Sequence, residues 1–264
     1  MIFILSKKLN LYDSVEILNI YNTKINENSN KQAFENEIMG ESILINIEND
    51  VLENLTIAGM AETHYHVIKD SILMGINKVS GDSIAINFNN NNMNRMFVKG
   101  GAIGKFIPED GNSKVDSIVY YRANQIDYLI EKEKSILDKN AIVDYGQTKI
   151  ESGSIELDWN KNFLNAQKKY DVFPKLININ ESPMVGESMR FDLIEKEGVI
   201  RQGKTNFDDG YYQGRTIHRE ENNIMHMFDS KYTSCSLDHP HYYFGSKKMK
   251  MIQGDKIIAK PIVL

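Results

Sequence analysis

Residues 40–61 read GESILINIENDVLENLTIAGMA, and residues 81–102 read GDSIAINFNNNNMNRMFVKGGA. At an offset of 41 residues the two align without a gap: Ser42 with Ser83, Ile43 with Ile84, Ile45 with Ile86, Asn46 with Asn87 and Asn49 with Asn90. The match continues through Leu52 with Met93, Leu55 with Met96, Ile57 with Val98, Gly59 with Gly100 and Ala61 with Ala102. Self-similarity at such a period marks stacked supersecondary units, so the form of one unit sets the form of the chain. That form is a β-hairpin. Ile43, Ile45 and Ile47 alternate with Ser42, Leu44 and Asn46, which puts the isoleucines on one face of a strand. The Asn- and Asp-rich stretches ENDV and NNNN then supply turns that tolerate left-handed backbone, and return strands follow with Leu55 and Ile57, or Met96 and Val98, at period two.

The same alternation recurs along the chain. It selects Ile84, Ile86 and Phe88, then Ile155, Leu157 and Trp159 in SIELDWNKNFLNA, then Met189, Phe191 and Leu193 in SMRFDL. Strand-like stretches fill the intervals, among them ETHYHV, SIVYYRANQIDYL, YYQGRTIHR and KMKMIQGDKIIAKPIVL. Residues 129–138, LIEKEKSILD, fit a short helix or a strand with a charged turn; the second reading is preferred. A dozen or more short strands punctuated by turns predict an all-β sandwich, jelly roll or solenoid. One apolar face per strand, in a common register, predicts that the strands line a shared interior.

Composition narrows the function. The chain of 264 residues has a net charge of −5, which argues against general nucleic-acid binding, since that requires a basic face. No run approaches the length of a membrane-spanning helix. The opening MIFILSKKLN places apolar residues before its lysines, the reverse of a secretory signal, so the chain is either cytoplasmic or begins inside a longer precursor. No phosphate loop, paired carboxylates or serine elbow is present, and VKGGAIG lacks the helix that phosphate binding requires.

The most reactive stretch is YTSCSLDHPHYYF, residues 232–244, with the single cysteine Cys235 and the histidines His239 and His241. A nucleophile reading needs an electropositive setting and a base, and no local catalytic-cysteine signature is present. A metal reading places His239 and His241 on one face of a strand, as in a cupin jelly roll, but needs a Glu and a third His; His64 and His66 form a second such pair far away in sequence. The plain reading is two polar or half-buried histidines on a strand flank. A disulfide reading lacks a partner within the chain.

The hairpin unit, strand, Asn turn, strand, Gly-x-Ala, resembles the OstA-like repeat of lipopolysaccharide (LPS) transport proteins. Residues 116–166 resemble that repeat as well. The run MRFDLIEKEGVIRQGKTNFDDGYYQGRTIHR, followed by KYTSCSLDHPHYYFGSKKMKMIQGDKIIAKPIVL, resembles the periplasmic domain of the LPS-assembly protein LptD family. The resemblance spans roughly residues 38–264. It implies one elongated domain over 1–264, an OstA/LptA-like β-jelly roll of two antiparallel sheets in a V, with repeats at about 38–106, 116–180 and 184–264. It further implies non-catalytic carriage of lipid A acyl chains in the periplasm, at the outer membrane, with no cofactor.

On that resemblance the alternating residues 43, 45, 47, 84, 86, 88, 155, 157, 159, 189, 191 and 193 line the lipid groove, and Lys99, Lys105 or Arg122 meet head-group phosphates at its rim. An LptA-like bridge protein docks by edge-strand pairing, through residues 11–21 or 41–47, and Cys235 forms a disulfide with an outer-membrane β-barrel that also holds a lipoprotein plug. The chain ends at Pro261-Ile262-Val263-Leu264, where the family continues into that barrel, and it lacks the family's signal sequence; a fragment or a free-standing LptA-like protein fits both departures. Two other readings stand beside it: a cupin-like metalloenzyme using His239 and His241, and an inert β-solenoid with a dry core.

Overall fold

The aligned repeat is one hairpin with a corner in each of its strands. In the computed structural model the described residues are 7–22, 34–49, 51–70, 72–89, 92–179, 181–207, 210–221, 224–237 and 239–264. Among them the chain forms seventeen β-strands and a single 3₁₀ turn, Ile130–Lys132. The all-β, antiparallel, hairpin-built class expected from the sequence is the class observed. The chain divides into two compact units, Met1–Asp138 and Lys139–Leu264.

In the first unit β1 (Lys7–Asn22), β2 (Phe34–Glu48), β3 (Val51–Lys69), β4 (Ile72–Asn89), β5 (Asn92–Pro108) and β6 (Val119–Leu129) follow one another, each antiparallel to the last. At 11–19 residues they run well beyond the usual strand of about 5–6. Pairing breaks at one common level: between Met39 and Ser42 on β2, Ala58 and Ala61 on β3, Ser80 and Ser83 on β4, and Lys99 and Ala102 on β5. On β3 and β5 the break holds two left-handed residues, Gly59–Met60 and Gly100–Gly101. A Cβ on Gly59 would overlap the side chain of Glu41, and one on Gly100 that of Asp82, so each glycine leaves room for the acid of the neighbouring corner.

These aligned bulges fold every strand across two layers. The expectation of one unbroken apolar alternation per strand is therefore corrected. On β2 and β4 the buried set slips by one, from Ile38 to Ile43 and from Val79 to Ile84; on β3 and β5 the two-residue corner preserves it, from Ile57 to Ala61 and from Val98 to Ala102. After the 3₁₀ turn Glu133 is left-handed and β7 (Lys134–Tyr145) begins, as the strand-and-charged-turn reading of 129–138 expects.

In the second unit β8 (Thr148–Asp158) pairs through 148–151 with β10 (Lys175–Asn178) and through 154–158 with β9 (Phe163–Gln167). Next, β11 (Met184–Val185) and β12 (Ser188–Asp192) occupy the two layers, and both pair with β13 (Gly198–Phe207). The hairpins β14 (Gly210–Arg219), β15 (Ile224–Thr233), β16 (Phe244–Ile252) and β17 (Lys256–Lys260) complete the order, with unpaired corner residues at Gln202, Arg215, Asp229 and Lys247.

Candidate functional site

Register places the predicted groove residues in cross-strand rungs. In the first unit one rung runs Ile43, Ile57, Ile84, Val98, Ile126, and the next runs Ile45, Leu55, Ile86, Met96, Tyr128. In the second unit one rung runs Ile155, Ala166, Met189, Ile200, Ile217, Met227, Met249, Ala259. The next starts Leu157, Leu164, Phe191, Gly198 and then reaches Arg219. Ile43, Ile45, Ile84, Ile86, Phe88, Ile155, Leu157, Met189, Phe191 and Leu193 are 0–9 % exposed and so packed into the interiors of their units. Ile47 and Trp159, at strand ends, are half-buried. The alternation thus selected inward-facing positions, and in this structure they are in close packing.

A polar cluster inside the first unit holds its layers together. Asn77 Nδ2 donates to the Tyr65 hydroxyl at 2.7 Å, the Tyr121 hydroxyl donates to Asn77 Oδ1 at 2.5 Å, and the Tyr128 hydroxyl donates to Tyr121 at 3.2 Å. Tyr128 belongs to the half of β6 that pairs with Met96, Tyr121 to the half that pairs with Gly104, so this contact joins the two layers face to face. The Tyr121 ring covers Gly104, where a Cβ would overlap it. Burial pushes all three phenols well above the ordinary tyrosine range, most strongly through desolvation, so each remains neutral.

The second unit hides a charge pair. Arg219 Nε and Nη2 donate to both oxygens of Glu181 at 2.8–3.2 Å, with side chains 3 % and 10 % exposed. Neither this pair nor the tyrosine cluster was singled out from the sequence. Tyr65, Tyr121 and Arg219 all stand in alternation with buried neighbours, which is the signal that could have found them.

Residues 234–237 and 239–243, between β15 and β16, lie outside any strand, so His239 and His241 are exposed and are not strand residues as the metal reading supposed. Cys235 is half-buried, with Sγ 3.5 Å from His241 Nδ1. Its pKa is lowered by the backbone N–H groups of Leu237 and His241, with a further contribution from the His241 ring. His64 contacts Glu37 and Glu62, His66 contacts Asn36, and among the described residues no group of three or more His, Cys, Asp and Glu is arranged to hold a metal ion. At the proposed rim, Lys99 lies over Phe97, Lys105 lies over Tyr120, and Arg122 is exposed. The strand over 41–47 is paired by β1 on one side and β3 on the other, which corrects its candidacy as a free edge; among the described residues β1 pairs with β2 alone.

Fold and interior define an all-β protein of cornered hairpins whose layers enclose apolar rungs. No family model matches the chain, and no curated protein does. Among solved structures it is similar to the crystal structure of LptH, the LptA homologous periplasmic component of the conserved lipopolysaccharide transport device from Pseudomonas aeruginosa. The sequence identity is 12 % and the TM-score 0.39, and the match covers 65 % of this chain and 94 % of that one. A likeness of that size leaves function to be derived from this chain's own residues.

Proposed function

We propose that this chain is a non-catalytic periplasmic carrier of LPS, which shelters lipid A acyl chains between its layers on the way to the outer membrane. The observation that supports this most is the pair of unbroken rungs in the first unit, aliphatic at every position but Tyr128. Five strands at a spacing of about 4.8 Å give an apolar path of roughly 19 Å. Exposing a 14-carbon acyl chain to water costs on the order of 10 kcal/mol at ~0.8 kcal/mol per methylene, and a surface of this kind removes most of that cost. Entry requires the layers to part, because the rung side chains are packed. The sequence resemblance to OstA-like repeats supports the same reading. On it, the outer side of β1 is the edge for a bridging partner, and Cys235 is the tether to a barrel.

Close packing of the rungs also favours a second reading, a scaffold with a permanently dry core. Titration of the full chain with N-phenylnaphthylamine separates them. A carrier gives a saturable fluorescence gain that purified LPS reverses; a scaffold gives no gain.

A further inference from the structure

We infer that the outer face of β15, β16 and β17 is a docking surface for the phosphate head groups of an anionic lipid bilayer. Strand alternation turns Met225, Met227, Met249 and Met251 inward, and therefore turns His226, Phe228, Lys248, Lys250, Ile258 and Lys260 outward. Those six, together with Met227 and Met249, line a shallow depression of about 200 Å³ on the surface of the second unit. Register puts Lys248 directly across from Lys260, and Lys250, next on the same face, across from Ile258. Like charges facing each other across a strand pair are destabilising unless an anion lies between them.

The nearby acids are already engaged. Glu220 holds His226 at 2.8 Å, Asp229 holds Arg215 at 2.6 Å, and Asp255 holds Lys256 at 3.2 Å. Among the described residues no ion pair is found for Lys248, Lys250 or Lys260. Three ammonium groups with no ion pair among the described residues thus line a hollow in a protein of net charge −5. An anion that fills the hollow comes from outside, and a local positive patch of this kind draws an anionic surface even when the net charge of the protein is negative.

The apolar members select a bilayer over a soluble phosphate. Ile258, 53 % exposed, stands across from Lys250, and Phe228, 39 % exposed, stands across from Lys248, the mixture of Lys with Ile and Phe that settles at a head-group and acyl boundary. The site is outside the layers and does not rest on the carrier reading, whose ligand lies inside them.

Flotation of the full chain with vesicles of phosphatidylcholine, with and without phosphatidylglycerol, tests this. Binding is expected only with phosphatidylglycerol and is expected to weaken as salt rises. The double variant Lys248→Glu/Lys260→Glu is expected to lose at least about tenfold, since each lysine near an anionic surface contributes roughly fivefold. Ile258→Asp, whose side chain is exposed and whose fold is checked by circular dichroism, is expected to weaken binding as well, whereas Lys114→Glu/Lys132→Glu is expected to bind as wild type. The proposal is overturned if wild type ignores phosphatidylglycerol, if the Lys248/Lys260 variant binds undiminished, or if millimolar glycerol 3-phosphate abolishes binding and so marks a site for soluble phosphate.

Discussion

At position 219 the alternation of β14 calls for an apolar side chain and a guanidinium sits there instead, two residues after buried Ile217 and opposite buried Met225. The neighbouring rung position, Gly198, carries no side chain, and Glu181 arrives from the turn after β10 to neutralise the charge. A pair of this kind is costly to break from one side, because the remaining ion stays buried. Arg219→Met is expected to lower unfolding free energy by about 3–5 kcal/mol in urea titration, and Arg219→Met/Glu181→Gln to recover more than half of that loss. The sequence pattern marks YYQGRTIHR as strand-like and assigns it no inward face. It was silent on the charge because the partner lies 38 residues away, in a segment with no periodicity of its own. Cys235 makes a second test at this scale. Backbone N–H groups and His241 favour its thiolate, so the pH profile of iodoacetamide alkylation is expected to inflect below that of an ordinary thiol. His241→Ala should move the inflection only part of the way back, since the backbone donors remain.

Strands in this protein are defined by their corners. Gly100 has φ 78° and the side chain of Asp82 where a Cβ would stand, whereas Gly101 has φ 55° and open space around it. Gly101→Ala is expected to cost about 1–2 kcal/mol for the left-handed conformation alone. Gly100→Ala should cost at least about 1 kcal/mol more, because Asp82 must also be displaced, and thermal unfolding of the two variants side by side measures the difference. The repeat alignment already paired Gly59 with Gly100 and Ala61 with Ala102, yet the corner they make was not legible. Two left-handed residues restore the phase of the alternation, so Val98 and Ala102 look like points on one straight strand. In the second unit the corner residues Gln202, Arg215, Asp229 and Lys247 are polar residues of the kind that line any exposed strand face, and their polarity alone gives no sign of a bend.

For the molecule as a whole, function turns on whether the layers can part. In the first unit they are joined by Tyr65, Asn77, Tyr121 and Tyr128, whose phenols are held neutral by burial. A folded-state pKa above the unfolded value means that the native state keeps protons the unfolded chain releases. Stability from these groups is therefore complete below about pH 10 and falls above it, by about 1.4 kcal/mol per pH unit for each phenol. Denaturant midpoints measured from pH 8 to pH 12 are expected to stay level at first and then drop steeply, and the triple variant with phenylalanine at 65, 121 and 128 should lose that drop.

Carriage itself is tested by placing a benzoylphenylalanine at position 86, irradiating the protein with LPS and looking for a covalent adduct. Ile86 lies within the second rung, and its neighbour Ala85 points the other way. An LPS adduct from position 86 and none from position 85 is the predicted result. No adduct from position 86, or equal adducts from both, would contradict an acyl-chain path between the layers.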